Sequence, residues 1–228
     1  MKKLLRVISF AVVLVLVLGS CCTKHISDAK RDVSVSTDIL LSGGAIVIAS
    51  PFGKFPVGSA TFVKSRIGNI VITAEHVAEI QHSLPLPLQV CAFGNLADCV
   101  VLERNYISDS SKSISSDWAI FKVDKFPESV KPARTSNRLP DIGEKVIICG
   151  IPQGEIPWLS YGHVGYVWEE EGQNVLGVDG FASFGSSGGG VFDKSGRLIG
   201  ITSAIAGSEW GPQEDKVFVT PIANIDFL

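Results

Sequence analysis

The chain is poor in charge, in aromatics and in long apolar runs. Charged residues are 19% of 228, aromatics are 8%, and there are 4 His and 1 Met. A formal net charge of −3 with 46% apolar residues argues against a disordered chain. It also argues against a protein dominated by phosphate contacts, so no nucleic-acid partner is expected. Outside residues 7–18 no segment is long and apolar enough to span a bilayer. Long amphipathic patterns are missing, and so is any fixed repeat, which argues against a propeller or solenoid. Glycine and proline are plentiful instead, 23 and 11. They point to many short elements joined by turns, in a length suited to one or two domains.

The N-terminus reads as an export signal. Lys2, Lys3 and Arg6 precede the uncharged run Val7 to Leu18, too short for a membrane span. The run ends in Leu18-Gly19-Ser20-Cys21, which resembles the lipobox of bacterial lipoproteins. That resemblance implies a signal peptide over 1–20, a lipid on Cys21, and anchoring in the bacterial cell envelope. Removing residues 1–20 takes three basic residues and no acid. It leaves 17 Lys and Arg against 23 Asp and Glu, so the mature chain is more acidic. Residues 21–40 are polar and read as a tether. Of the remaining cysteines, Cys91 and Cys99 lie on two runs joined by Gly94-Asn95, where a hairpin could pair them. Cys149 sits in Val146-Ile147-Ile148-Cys149 and reads as a buried strand residue.

From residue 41 onward, two sets of six short β-rich runs alternate with turn signals. The break between them, Asp124 to Pro140, carries Pro127, Pro132 and Pro140. This predicts an all-β protein of the sandwich or barrel type. The Ser-rich stretch Ser108–Ser116 reads as an exposed loop.

Three segments carry chemistry. Ile70-Val71-Ile72-Thr73-Ala74-Glu75-His76 is a β run ending at a His. Ser116-Asp117-Trp118-Ala119-Ile120 puts an Asp at the mouth of an apolar strand. Gly185-Ser186-Ser187-Gly188-Gly189-Gly190 is a glycine-rich turn feeding a strand. These residue types suit acyl transfer. A Ser hydroxyl needs an adjacent base, a neutral His supplies it, and a carboxylate fixes the His tautomer. Glycines let backbone N–H groups converge, so those of Gly185 and Ser187 are candidate oxyanion donors. The rival reading is a metal site from His76, Glu79 and His82. On a helix the two His would diverge by about 120°, and the set matches no ligand motif.

The order His, Asp, Ser and the segments around it resemble the trypsin-like (chymotrypsin-fold) serine peptidases, and among them the bacterial HtrA-type peptidase domain. Val57-Gly58-Ser59-Ala60-Thr61-Phe62-Val63 is similar to that family's G-S-G strand. Gly143-Glu144-Lys145-Val146 to Gly150-Ile151-Pro152-Gln153-Gly154, Gly196-Arg197-Leu198-Ile199-Gly200, and Val217 to Ile222 resemble later segments in order. The resemblance covers about 41–228 and implies two six-stranded antiparallel β-barrels, about 41–126 and 141–222, with the site in the cleft between them.

It further implies a serine endopeptidase acting on polypeptides, with catalytic His76, Asp117 and Ser187 and with no metal or organic cofactor. Ser187, not Ser186, matches the nucleophile because it directly precedes Gly-Gly, although relatives usually carry Asn where Ser186 stands. The wall of the substrate pocket would be Phe181 at its base and Ser203, Ala204 and Ile205 opposite. No acid stands at that base, so an apolar residue is expected at the cleavage site. His163, within a strand, is expected to pack. No PDZ domain is expected after the closing strand. The alternative is a catalytically silent, lipid-anchored binding module on the same fold.

Overall fold

The computed structural model describes residues 30–83, 86–103, 105–108, 113–208 and 211–225. The signal and lipobox readings at 1–21 lie outside the described residues. Among the described residues, no helix is long and apolar enough to cross a membrane. The chain divides into two compact units, Met1–Thr37 and Asp38–Leu228. In the first, residues 30–37 are helical. In the second, the helical turn continues over 38–42, and Ile39 is buried against the body. The body therefore starts earlier than the expected tether boundary at 40.

Two β-rich halves make up the second unit, as expected. In the first half β1 (Gly43–Ser50), β2 (Gly53–Ser65), β3 (Gly68–Thr73), β4 (Leu88–Ala92), β5 (Asn95–Val101), β6 (Ile107–Ser108) and β7 (Ala119–Lys122) pair in the order β5-β4-β1-β2-β3-β7-β6. This sheet has seven strands, and among the described residues β5 and β6 end it without pairing to each other. β-branched runs such as Ile70-Val71-Ile72-Thr73 favour strands because they fit a pleated, half-buried surface. Ile46, Phe62, Val71, Leu88, Val90 and Phe121 fill its core, each contributing about 1.5–3 kcal/mol by burial. At its edge Cys91 and Cys99 face each other in register across β4 and β5 and form a disulfide, with Cα atoms 4.0 Å apart.

The second half holds β8 (Arg134–Thr135), β9 (Lys145–Gly150), β10 (Trp158–Glu170), β11 (Gln173–Asp179), β12 (Gly190–Asp193), β13 (Arg197–Ser208) and β14 (Gly211–Pro221). The order β12-β9-β10-β11-β14-β13 closes through β12–β13 pairing into a six-stranded antiparallel barrel, with β8 parallel to β13 outside it. Closure leaves the barrel strands without a free edge. Along β10, Ser160, Gly162 and Val164 are buried while Tyr161, His163 and Gly165 face out, the period-two pattern of a strand with one covered face. His163 is thus exposed beside Asp179, its Nδ1 3.5 Å from Oδ1, rather than packed as expected. Cys149 is buried, as expected, and burial pushes its thiol up to about 12.

Candidate active site

One cleft of about 910 Å³ is lined by His76, Asp117 and Ser187 together. β3 ends at Thr73 and hands the chain to a single turn of helix, Glu75–Ala78, which presents His76. Asp117 follows the 3₁₀ turn Ile114–Ser116 and precedes β7. Ser187 lies in the glycine-rich turn before β12.

The Asp117 carboxylate takes three donors. His76 Nδ1 lies 2.9 Å from Oδ2 and 3.1 Å from Oδ1, and the His76 backbone N–H donates to Oδ1 at 3.1 Å. The Ser203 hydroxyl donates to Oδ2. An ionised carboxylate only accepts, so the Nδ1 proton points at Asp117 and Nε2 keeps its lone pair for the cleft. Burial pulls the His76 pKa down, but its bond to Asp117 and the charges of Asp117, Glu79 and Glu75 outweigh that, and the net shift is upward. For Asp117 burial pushes upward, and the His76 bond and charge with the Ser203 bond win, so its carboxyl titrates below the ordinary range. Among the described residues, His76 Nε2 and Ser187 Oγ share the cleft without a hydrogen bond between them. Such links are often long before substrate binds.

The turn around Ser187 is fixed from both sides. Ser186 is buried, and its hydroxyl accepts the Ser183 N–H at 3.2 Å, so it faces inward while Ser187 faces the cleft. The Ser59 hydroxyl donates to the Gly185 carbonyl at 2.7 Å and accepts the Ile151 N–H at 2.9 Å. The Ser59 N–H donates to the Ser187 carbonyl at 2.8 Å. Among the described residues the Gly185 and Ser187 amides donate to no group, which leaves two N–H groups beside the Ser187 hydroxyl. Glycine is required at 185: φ is +92°, and a Cβ there would stand 2.6 Å from the Ile151 carbonyl oxygen. At Gly188 φ is +83°, and a Cβ would meet Thr73 Oγ1 at 2.1 Å.

Ser203, Ala204 and Ile205 line the cleft, and Ser203 also touches Asp117. Phe181 lies outside the lining and is exposed, so the structure does not bring it to the pocket; Phe184, three residues on, lines it instead. His82 packs its ring 5.6 Å from Tyr106. Among the described residues no three His, Cys, Asp or Glu side chains gather as a metal site. The stretch expected to be an exposed loop is in part buried: Ser115 and Ser116 are 1% exposed. Residues 109–112 lie outside the described residues. Sequence reasoning missed Ser59, Gln153 and the hydroxyl contact of Ser203.

A family model described as a trypsin-like peptidase domain matches residues 58–201. The chain belongs to this family. No curated protein matches it. Among solved structures, a variant of the HtrA-type protease AlgW with a decapeptide is similar at a TM-score of 0.64 and 15% identity, over 83% of this chain and 62% of that one. AlgW with a tripeptide is similar at 0.61 and 17%, over 82% and 60%. A Ser-to-Ala mutant of Rv3671c from M. tuberculosis H37Rv, in its inactive form, is similar at 0.58 and 17%, over 86% and 89%. The chain spans about three fifths of the length of the AlgW chains it matches. At these identities the likeness concerns the fold, a trypsin-like pair of β halves with the cleft between them.

Proposed function

We propose that the chain is a serine endopeptidase in which Ser187 attacks a peptide carbonyl. His76 Nε2 takes the hydroxyl proton as the Ser187 oxygen bonds to carbon, and the carbonyl electrons move onto oxygen. The Gly185 and Ser187 amides donate to that oxyanion, a type of contact worth about 3 kcal/mol. His76 then passes the proton to the leaving amine as the carbon–nitrogen bond breaks. Water, with His76 again as base, releases the acyl group from Ser187. Asp117 holds the tautomer and stabilises the imidazolium throughout. The observation that carries the reading is the His76–Asp117 pair in one cleft with Ser187 and two undonated amides.

The lipobox-like Leu18-Gly19-Ser20-Cys21 supports a lipid-anchored enzyme of the bacterial envelope with polypeptide substrates. A fluorophosphonate probe tests the chemistry. Wild type is expected to be labelled on Ser187, and Ser187→Ala to be unlabelled and inactive on peptides. Wild-type protein that takes no label would favour the silent binding module instead.

A further inference from the structure

We propose that the Cys91–Cys99 disulfide is a thiol-exchange site whose substrate is an external dithiol, and that Lys54 gives the bond its reactivity. The inference stands apart from the peptidase reading and uses no residue of the cleft.

The bond is open on one side. Cys91 on β4 is 1% exposed, whereas Cys99 is half-buried on β5, the end strand of the first sheet. Cys99 Sγ is therefore the sulfur that an attacking thiolate reaches. The Lys54 side chain starts on β2 and reaches past β1 to this pair. Its Nζ stands 2.8 Å from Cys99 Sγ and 3.8 Å from Cys91 Sγ. Among the described residues no carboxylate pairs with that ammonium. The acid next in sequence, Asp98, instead accepts the Ser129 N–H and hydroxyl, each at 3.2 Å.

A disulfide that only staples a hairpin acts by closing a loop and gains nothing from a cation on its sulfurs. Exchange gains twice. An external thiolate attacks Cys99 Sγ, a mixed disulfide forms there, and the electron pair of the broken bond goes onto Cys91 Sγ. The Lys54 ammonium, 3.8 Å from that leaving sulfur, meets the developing charge. The second thiolate of the dithiol then attacks its own sulfur in the mixed disulfide, and the pair goes onto Cys99 Sγ, 2.8 Å from Nζ. The reductant leaves as a disulfide, two electrons have passed, and the cysteines take up the two protons that its thiols released. A leaving sulfur held as thiolate departs faster, and a stabilised thiolate favours the reduced pair. The Leu96 carbonyl, 3.4 Å from Cys99 Sγ, favours the protonated thiol instead. A full charge at 2.8 Å outweighs that more distant dipole. Reduction frees the short β4–β5 loop, and neither strand carries a cleft residue, so the change is expected at the sheet edge.

The competing account has Lys54 merely laying its aliphatic stem over the edge. Lys54→Met keeps a stem and loses the charge, while Lys54→Arg keeps the charge. The test incubates the oxidised full chain with dithiothreitol under native conditions and follows alkylation of Cys91 and Cys99 by peptide mass mapping. Wild type is expected to open without denaturant, and Lys54→Met to open about tenfold more slowly. In dithiothreitol redox buffers its disulfide should be about tenfold harder to reduce at equilibrium, about 30 mV. Lys54→Arg should follow wild type. Loss of stability in a variant would speed reduction, so slower opening of Lys54→Met does not come from misfolding. A glutathione pulse with a rapid alkylating quench should leave the adduct on Cys99. A disulfide that opens only in denaturant, equal rates in wild type and Lys54→Met, or an adduct on Cys91 overturns the proposal.

Discussion

The two halves of the body differ in how they hold their parts of the site. The second is a closed barrel that presents Ser187 and the two amides from one tight turn. The first is a sheet with open ends, and it presents His76 and Asp117 from segments that leave its strands. Each half completes its part with groups from the other. From the first half, Ser59 fixes the carbonyls of Gly185 and Ser187. From the second, Ser203 donates to Asp117, Thr220 Oγ1 to the Ile114 carbonyl at 2.5 Å, and Asn224 Nδ2 to the Ser115 carbonyl at 2.7 Å. Glu170 accepts the Ser115 N–H at 3.1 Å. The difference teaches that the His76–Asp117 pair is held largely by groups of the barrel, while the Ser187 turn combines its own glycines with the Ser59 contacts of the first half.

The largest test strikes the pair itself. In Asp117→Asn the side-chain amide can present a donor to Nδ1, which moves the ring proton to Nε2 and removes the base. A fall in kcat of about 10⁴-fold is expected, the size this change has in the Ser-His-Asp template, with KM little altered. Steady-state kinetics with less than a tenfold loss would remove Asp117 from its assigned role.

The next concerns the edge of the first half. Replacing both Cys91 and Cys99 by Ser opens the short loop their disulfide closes, with a sequence separation of 8. The chain-entropy argument gives a loss of about 2.5 kcal/mol in stability. Fluorophosphonate labelling of the protein that remains folded should proceed as in wild type, because β4 and β5 carry no residue of the cleft. Slower labelling would mean that the edge and the site are coupled through the sheet.

A smaller loss is expected where the first half grips the second. Ser59→Ala removes the donor to the Gly185 carbonyl and leaves the buried Ile151 N–H without its acceptor. A buried unsatisfied group of this kind costs about 1–3 kcal/mol, read as a lower denaturation midpoint, together with a reduced kcat as the amides lose their register. An unchanged kcat would assign the nucleophile turn wholly to its own glycines and sharpen the contrast between the halves.

Local sequence carried more of the second half's site than of the first's. Gly185-Ser186-Ser187-Gly188-Gly189 shows its turn directly, because positive φ at 185 and 188 demands glycine. The β run into His76 and the apolar strand after Asp117 were legible for a similar reason: short-range pattern sets short-range structure. Closure of one half only was not legible, since β12–β13 pairing depends on register between strands and not on composition. Ser203 was read as pocket wall, and its hydroxyl reaches Asp117 across 86 positions of sequence. Phe181 was expected at the base of the pocket, and the turn before Ser187 brings Phe184 to the lining instead.

The smallest effect is a titration, and it separates the acids of the first half from the barrel's contribution. The His76 pKa stands above 6.5, so the stabilisation from its charged pair is complete below that value and fades as pH climbs through the higher folded pKa. Catalysis runs the other way. It needs neutral His76, and kcat/KM should rise through a midpoint above 6.5. Glu79 and Glu75 both raise that pKa, with Glu79 the larger of the two. Glu79→Gln should therefore move the midpoint down, and Glu75→Gln should move it down by less. Glu79 is exposed, so added salt should shrink the difference between wild type and Glu79→Gln. Ser203→Ala acts from the barrel on the partner instead. It withdraws a donor that lowers the Asp117 pKa, so the carboxyl's own titration should move up. An NMR titration of the Asp117 carboxyl reads that shift, and one of the His76 ring alongside the pH–rate profile reads the midpoint. A Glu79→Gln midpoint at or above the wild-type value would mean that the acids of the first half do not set the base, and that Asp117, held by the barrel, does so alone.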